Sequence, residues 1–600
     1  MPVDEHILKN ILANVQKPAR YLGNEWNSCH KDHGLVKLKM ALAFPDLYEV
    51  GMSNQGLKIL YDSVNRNPDL LMERVFAPAA DMEGLLREQG MPLFALESAE
   101  RLADFDLVGF SLQYELSFTN VINMLDLSGI PLYSDKRDEQ DPLIIGGGPC
   151  VYNPEPMAPF FDFFIIGEAE EVLPEVLSEI VSLKAKGLNR KDLLIEISSL
   201  EGIYVPSLYQ PVYGKEDVLQ GLKKLEPRAP DMIEKRFVKD LNRAPYPAAP
   251  IVSYIETIHD RAVVELFRGC ARGCRFCQAG YTFRPVRKRS QESIVNTAKQ
   301  IIDATGYDEI ALSSLSSTDY PNLDQLIGQL DTAFPNGMVK CSLPSLRLDS
   351  YSVKLADQLH RGRRSSLTFA PEAATERLRR VIKKNISEED IIKALEDAVK
   401  AGWQGFKLYF MIGLPTEREE DVEAITELCR RIRQYFKKQE DRSLKISVSV
   451  STFVPKAHTP FQWEPQLPVD QVARRQEILK KGFSNMPGFD YSWHDAEASM
   501  LEAVYARGDR RLAPVLERAW QLGCRFDGWS EHFSFENWEK AFHDTGSDPE
   551  NFAYQRFKYD QPLPWDHIDC GVKKEIFISE HHKAMHIDGG KGEANGTFEL

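Results

Sequence analysis

Twice along this chain, short apolar runs alternate with stretches of helical pattern, and no other feature restricts the fold as much. In the first series Leu38–Phe44, Leu107–Ser111, Leu143–Gly146 and Phe163–Ile166 read as buried strands, with a helix over Gly56 to Val64 after the first. In the second, the strands are Val263–Phe267, Glu309–Ser313, Lys340–Leu343, Ser366–Ala370, Gly405–Met411 and Lys445–Phe453. Helical stretches such as Glu388 to Ala401 and Arg418 to Phe436 fall between them. Apolar strands separated by helices predict parallel sheets covered on both faces, with ligands bound where strands end. Between the series lie Val205-Pro206, Gln210-Pro-Val-Tyr-Gly214 and Ala244-Pro-Tyr-Pro-Ala-Ala-Pro250, a proline density that predicts a linker.

The expected class is α/β. A Rossmann-like doubly wound parallel sheet domain covers 36–200, a linker 201–255, a partial (β/α)6 TIM-type barrel 256–484 and a mainly helical C-terminal domain 485–585. A helical segment over 1–35, with Ile7, Ile11, Leu12 and Val15 on one face, precedes them, and 586–600 is expected to be a disordered tail. The C-terminal region carries Trp493, Trp520, Trp529, Trp538 and Trp565, and Leu512–Leu522 reads as an amphipathic helix. At 600 residues the chain exceeds what one core holds, which agrees with several domains.

The net charge of −16 argues against broad nucleic-acid binding, which needs a basic face. A local basic groove stays open as a reading, because Arg284, Arg287, Lys288 and Arg289 form one group and Arg361, Arg363 and Arg364 another. A solvated or salt-bridged surface is their plainer role. No run of about eighteen uncharged apolar residues appears, so no membrane span is expected. Met1-Pro-Val-Asp-Glu-His-Ile-Leu8 lacks the start of a signal peptide, and nine scattered cysteines do not make a disulfide framework. A reducing, cytoplasmic protein is expected.

Three of those cysteines stand together in Cys270-Ala-Arg-Gly-Cys274-Arg-Phe-Cys277, directly after the first strand of the second series. Thiolates are soft ligands that suit iron–sulfur clusters, and three of them fill three iron corners out of four. The fourth iron is then open to substrate or cofactor. The competing readings are a zinc knot or inert buried thiols. A zinc knot needs a fourth ligand, and no second pair follows the motif.

The cysteine spacing resembles that of the radical S-adenosylmethionine enzymes. The resemblance implies a 4Fe-4S cluster on Cys270, Cys274 and Cys277, with S-adenosylmethionine on the free iron and cleaved to a 5′-deoxyadenosyl radical. It also implies cofactor contacts: Phe276 beside the adenine, Glu372 near the ribose or methionine part, and Ile412, Gly413 and Pro415 near the adenine. The glycine-rich pair usual after the second strand is absent, and Ser313-Ser314-Leu-Ser316 stands in its place as the expected contact to the methionine amino group. For Glu372 the bland alternative is a carboxylate capping a helix that starts near Ala373.

The first series resembles the cobalamin-binding domain that precedes the barrel in one branch of that superfamily. Asp46, Tyr48 and Gly51 match its cobalamin motif, and Ser111 with Gly146, Gly147 and Gly148 match the small residues that admit the nucleotide tail. Gly167-Glu-Ala-Glu-Glu171 matches a further signature of the branch. Tyr48 stands where a histidine would ligate cobalt, and phenol is a poor ligand at neutral pH, so bound cobalamin would keep a lower face free of imidazole. Glycines after strands also occur wherever chains turn tightly, and a domain without cofactor would keep the same sheet. From about 20 to 585 the chain is similar to an uncharacterised family of such enzymes, through Val264–Tyr281, Arg284-Pro-Val-Arg287, Phe453–Trp463 and Ala506–Arg511.

Lys456 and His458 could face a substrate, whereas Arg507, Asp509 and Arg510 read as structural ion pairs and Cys524 and Cys570 as buried thiols. Three functions are carried forward. One is a radical enzyme with cobalamin that methylates an unactivated carbon. Another is a cobalamin-free tailoring or methylthio-type enzyme acting on RNA or protein, with the 284–289 group on phosphate. The third is a non-catalytic iron–sulfur redox sensor. The resemblance implies an electron donor such as flavodoxin or ferredoxin and leaves the substrate open.

Overall fold

The computed structural model describes residues 2–215, 218–343, 367–403, 405–440, 445–484, 486 and 488–587. The first sheet contains β1 (Leu38–Phe44), β2 (Leu70–Phe76), β3 (Leu107–Ser111), β4 (Leu143–Gly147), β5 (Phe163–Ile165) and β6 (Ile203–Tyr204). The order is β2-β1-β3-β4-β5-β6, parallel except for β6, which runs antiparallel to β5. Strand order reverses between β1 and β3, and a doubly wound sheet opens a crevice at such a switch point.

β2 escapes the sequence reading because Glu73 and Arg74 interrupt its apolar run. Both are buried. Arg74 is neutralised by Glu25 at 2.8 Å and Glu97 at 2.7 Å, and Glu73 accepts from Ser98 and pairs with His33. The linker region also holds more structure than its prolines suggest. It contains β6, a hairpin of β7 (Tyr209–Tyr213) and β8 (Leu219–Lys224), and β9 (Ile233–Glu234), which pairs with Ile568–Asp569.

The barrel region opens with β10 (Ala262–Glu265), and a small ladder of β11 (Phe267–Arg268) on β12 (Arg287–Lys288) follows. Two parallel arcs continue it. β10 is joined by β13 (Glu309–Ser313) and β14 (Lys340–Ser342), while β15 (Leu367–Glu372), β16 (Gly405–Ile412), β17 (Lys445–Thr452) and β18 (Phe489–Trp493) form the other. Residues 344–366, with Arg361, Arg363 and Arg364, lie outside the described residues, as do 588–600 in the expected tail.

β18 is a seventh strand, lying past the expected end of the barrel at 484. Its aromatic side chains Phe489 and Tyr491 lie against Phe483 at 5.8 and 5.0 Å, and Phe489-Asp-Tyr491-Ser-Trp493 alternates aromatic with polar residues, a strand signal that the sequence reading passed over. The helices beyond it do not pack mainly on the barrel. Val504, Leu512, Val515, Trp538 and Trp565 share one apolar core with β1–β5. Helix Phe118–Leu127 is almost wholly buried and lies against Ala513–Gln521. The C-terminal region therefore closes the outer side of the first domain.

Candidate functional site

A cavity of about 650 Å³ lies between the two sheets. On one side it meets the carboxyl ends of β1, β3, β4 and β5, at the switch point. On the other it meets Val263 and Glu265 of β10, the turn Arg268-Gly269, and Ser313-Ser314-Leu315 at the end of β13. Both parallel sheets thus present their ligand-binding ends to one space.

Glycines create the room. A Cβ on Gly147 would find its nearest neighbour, Ile165 O, 4.0 Å away, so the missing side chain leaves cavity. Gly148 has φ +105°, and a Cβ there would stand 2.6 Å from Leu112 O, so only glycine fits that turn. Ser111 lines the same wall and accepts a hydrogen bond from Gln113 Nε2 at 2.8 Å.

Asp46, Tyr48 and Gly51, expected beside Ser111 and Gly146–Gly148, are not among the lining residues. Packing accounts for each. Tyr48 is buried, donates to Glu25 Oε1 at 2.9 Å and sets its ring edge on Phe76. Asp46 accepts from Trp529 Nε1 at 3.0 Å. A Cβ on Gly51 would lie 2.2 Å from the Phe76 ring. The head of the next helix, Asn54-Gln55-Gly56, lines the cavity instead.

The cysteine loop is the connection between β11 and β12, so the ladder fixes its ends. Gly269, at φ +91°, lets the chain pass Phe283 O and Pro285 O, which a Cβ would meet at 2.7 and 2.9 Å. Arg275, within the loop, is buried. It donates to Arg380 O at 2.9 Å and Val381 O at 2.8 Å, and its Nε lies 3.1 Å from Glu580 on helix Lys574–Met585. Lys383 also reaches Glu580 at 3.1 Å. Arg272 pairs with Asp319. Cys270, Cys274 and Cys277 are all free thiols. Burial pushes the Cys274 thiol up to about 11, with Lys384 opposing and the other two cysteines and Glu372 adding to the rise. Burial also raises Cys277. The three sulfurs therefore share one electrostatic neighbourhood. Among the described residues no three His, Cys, Asp or Glu surround a single-ion position. Thiolates that each take a separate iron stand further apart than ligands around one zinc.

Of the other expected contacts, Phe276 packs with Ala373, Leu414 and Phe453 at the ends of β15, β16 and β17. Glu372 sits at φ +66° beside a register shift in β15, with its Oε1 3.0 Å from Lys384. It does not cap the next helix, whose cap is Thr375. Ile412 ends β16 and is buried, and Pro415 is buried in the turn that follows. Gly413 N donates to Glu417 Oε1 at 2.8 Å. Burial pushes Glu417 up to about 7 despite Arg475 at 2.8 Å. Ser313 and Ser314 face the cavity from the other arc. The sequence reading missed Glu417, Lys384 and Glu580, because nothing in their local sequence marks them.

An ionic joint binds the two sheets beside the cavity. Glu168 receives both Arg287 Nη1 and Nη2 at 2.7 Å, and Arg268 reaches Glu168 at 3.0 Å, Glu170 at 2.7 Å and Glu265 at 2.9 Å. The Gly167–Glu171 signature is thereby tied to the residue two places before Cys270. Arg287 and Arg289 are buried, and Arg289 bonds Leu241 O and Glu265, so neither is presented to a phosphate. Lys456 and His458 are also turned inward. Lys456 bridges Glu115 at 2.7 Å and Glu502 at 2.8 Å, and His458 Nε2 lies 3.1 Å from Tyr152 O. Arg510 pairs with Glu155 at 2.7 Å, Arg507 donates to Phe552 O at 2.6 Å, and Cys524 and Cys570 are buried.

Residues 264–429 match the family described as Radical SAM superfamily, and residues 56–206 match that described as Radical SAM proteins, N-terminal. The uncharacterized protein MJ0966 of Methanocaldococcus jannaschii is 29% identical over 481 residues, 80% of this chain and 90% of that protein. A ribosomal protein uS12 methylthiotransferase of Acaryochloris marina is 27% identical over 38% of this chain, which spans 50% of that relative. Among solved structures, the radical S-adenosylmethionine methyltransferase TsrM from Kitasatospora setae, with cobalamin and a 4Fe-4S cluster bound, aligns at TM-score 0.46 and 16% identity, over 69% of this chain and 74% of that one. The cobalamin-dependent radical enzyme OxsB aligns at TM-score 0.47 and 13% identity, over 92% of this chain and 79% of that one.

Proposed function

Because the chain belongs to the radical S-adenosylmethionine superfamily, we propose that it is a radical enzyme with a 4Fe-4S cluster on Cys270, Cys274 and Cys277 and cobalamin in the cavity between its sheets. The reaction proposed is methyl transfer to an unactivated carbon. The observation that carries this reading is the shared cavity itself. It opens at the ligand-binding ends of both sheets, and its wall at Gly269 runs directly into Cys270.

The residues suit both groups. Three neighbouring free thiols match three iron corners, and the space left by Gly147 is a cradle that any side chain would fill. No histidine is among the described lining residues, and Tyr48, where the resemblance expects a cobalt-ligating histidine, lies outside the cavity. When bound, the cluster supplies the electron that opens the sulfonium, and cobalamin supplies the methyl carrier. The chain's own residues hold, orient and shield. Arg275, braced by Glu580, fixes the cysteine loop. Phe276 offers an aromatic face, Glu372 an oriented carboxylate held by Lys384, and Gly413 with Ile412 and Pro415 a close backbone approach. Ser313 and Ser314 offer hydroxyls toward the cavity, and the Glu168–Arg268–Arg287 joint keeps the two sheets in register. A low-potential donor such as flavodoxin or ferredoxin would deliver the electron.

The test is anaerobic purification followed by iron, sulfide and corrinoid analysis, then reduction with dithionite and S-adenosylmethionine. Corrinoid absorbance surviving gel filtration and formation of 5′-deoxyadenosine or a methylated product are expected. A protein that loads iron but never retains corrinoid would remove the methyl-transfer reading. One that leaves S-adenosylmethionine intact would remove the radical chemistry.

A further inference from the structure

A second cavity, of about 200 Å³, lies away from the cysteine loop, beneath the segment that joins the two sheets. Its floor is one face of helix Gln55–Asn65. Lys58, Tyr61, Asp62 and Asn65 fall at i, i+3, i+4 and i+7, a polar stripe that a surface helix would normally give to water. Here Pro247, Ala249, Pro250 and Ile251 roof it, and Asn27 and Cys29 close one side.

Most polar side chains around this space are already engaged. Asn65 exchanges two hydrogen bonds with Met72, both at 2.9 Å. Tyr61 OH accepts from Cys29 N at 2.8 Å. Asn27 donates to Pro250 O at 3.1 Å. Arg66 donates to Tyr246 O at 2.7 Å and lies 2.7 Å from Asp62. Asp62 Oδ2 makes no hydrogen bond but is neutralised by Arg66, which leaves Lys58 as the side chain without a counter-charge. It is 7% exposed and lines the cavity, and its Nζ makes no hydrogen bond or ion pair within 4 Å among the described residues. Asp260 acts on it only at longer range, and burial lowers its affinity for the proton to about 8, which still leaves the ammonium charged at neutral pH. A buried cation without a partner is costly unless an anion joins it.

We infer that this cavity is a binding site for a small carboxylate with a short apolar tail, its carboxylate seated on Lys58. The volume equals about six or seven waters at about 30 Å³ each, which limits the ligand to a few heavy atoms. Phosphate fits less well, because it needs several converging donors. Arg66 is committed to Asp62, and Pro247 and Pro250 have no N–H to give. The proline roof and Ile251 instead suit an alkyl tail. The occupant would touch both the first domain and the connection to the barrel. This inference does not rest on the cofactors proposed above.

Calorimetric titration of the full-length protein with sodium butyrate tests it. Saturable binding on the order of 1 mM is expected for a ligand of this size, weakened at least tenfold in Lys58→Met. That variant should keep its unfolding midpoint, because methionine fills the same volume without a buried charge. Asp260→Asn should leave binding within about twofold. Absence of saturable binding by the wild type, equal binding by Lys58→Met, or tighter binding of inorganic phosphate than of butyrate would each overturn the assignment.

Discussion

Three consecutive glycines offer a way to separate fold from cavity. A Cβ on Gly146 would lie 2.6 Å from Phe164 Cδ1 inside a buried sheet, an overpacking that costs about 1–3 kcal/mol. On Gly148 the same atom would lie 2.6 Å from a rigid carbonyl, at φ +105°. Backbone strain of about 1–3 kcal/mol then adds to the clash. Gly147 differs from both. Its nearest contact is at 4.0 Å and its φ is not positive, so Gly147→Ala should cost almost nothing and gain up to about 1 kcal/mol from a less flexible unfolded chain. Gly147→Leu should fold equally well while placing its side chain in the 650 Å³ cavity. Urea unfolding and bound corrinoid per chain are the two readouts. Expected stability runs Gly147→Ala at or above wild type, then Gly146→Ala, then Gly148→Ala. Expected corrinoid retention drops at least tenfold in Gly147→Leu alone among the well-folded variants. If Gly147→Leu keeps its corrinoid, or if all the alanine variants lose stability alike, the cradle argument fails.

Replacing any one of Cys270, Cys274 or Cys277 with serine should abolish iron loading and 5′-deoxyadenosine formation while leaving circular dichroism unchanged, as iron assay and chromatography would show. Glu168→Gln removes the carboxylate that neutralises Arg287 and one of three around Arg268, both largely buried, and should cost about 3–5 kcal/mol in urea unfolding, whereas Glu5→Gln at the exposed pair with Lys9 should leave the midpoint unchanged. Acid should also destabilise the protein. Burial lowers His458 to about 3 and His567 to about 4, among Tyr152, Lys235, Glu155 and Arg510, so both stay neutral when folded. Each then binds fewer protons folded than unfolded. The resulting stability is complete above about 6.5 and drains away as pH falls, at about 1.4 kcal/mol per unit per group. Glu417, raised to about 7, acts in the opposite sense between about 4.5 and 7, leaving a net loss of about 1.4 kcal/mol per unit from these three between pH 6.5 and 4.5. His458→Gln should flatten that slope, and urea midpoints measured across the range would reveal it.

Much of the architecture was legible in the sequence because it rests on local patterns. Leu38–Phe44, broken only by Lys39, and Glu309–Ser313, with Ile310-Ala-Leu312 at its centre, are strands at the bounds that the pattern predicts. β2 was hidden because Arg74 needs Glu25 and Glu97, neither of them a neighbour in sequence. The same limit applied at the site. Gly146, Gly147 and Gly148 announce a turn after a strand, and their cavity follows from that position. Tyr48 sits in a motif-like segment, yet its orientation is set by Glu25 and Phe76, which no spacing rule links to it. The arginines at 287 and 289 look solvated in sequence because their acidic partners lie far away at Glu168 and nearer at Glu265.

The bracing of Arg275 by Glu580 has a consequence for biogenesis. The loop proposed to receive iron is braced by a residue 305 positions beyond Arg275 along the chain. Domains generally fold in order as the ribosome delivers them, so the thiols emerge long before their brace. Iron and sulfide delivery is therefore expected to follow release of the finished polypeptide, and a chain stopped before Lys574 should accumulate with its barrel formed and its iron content low.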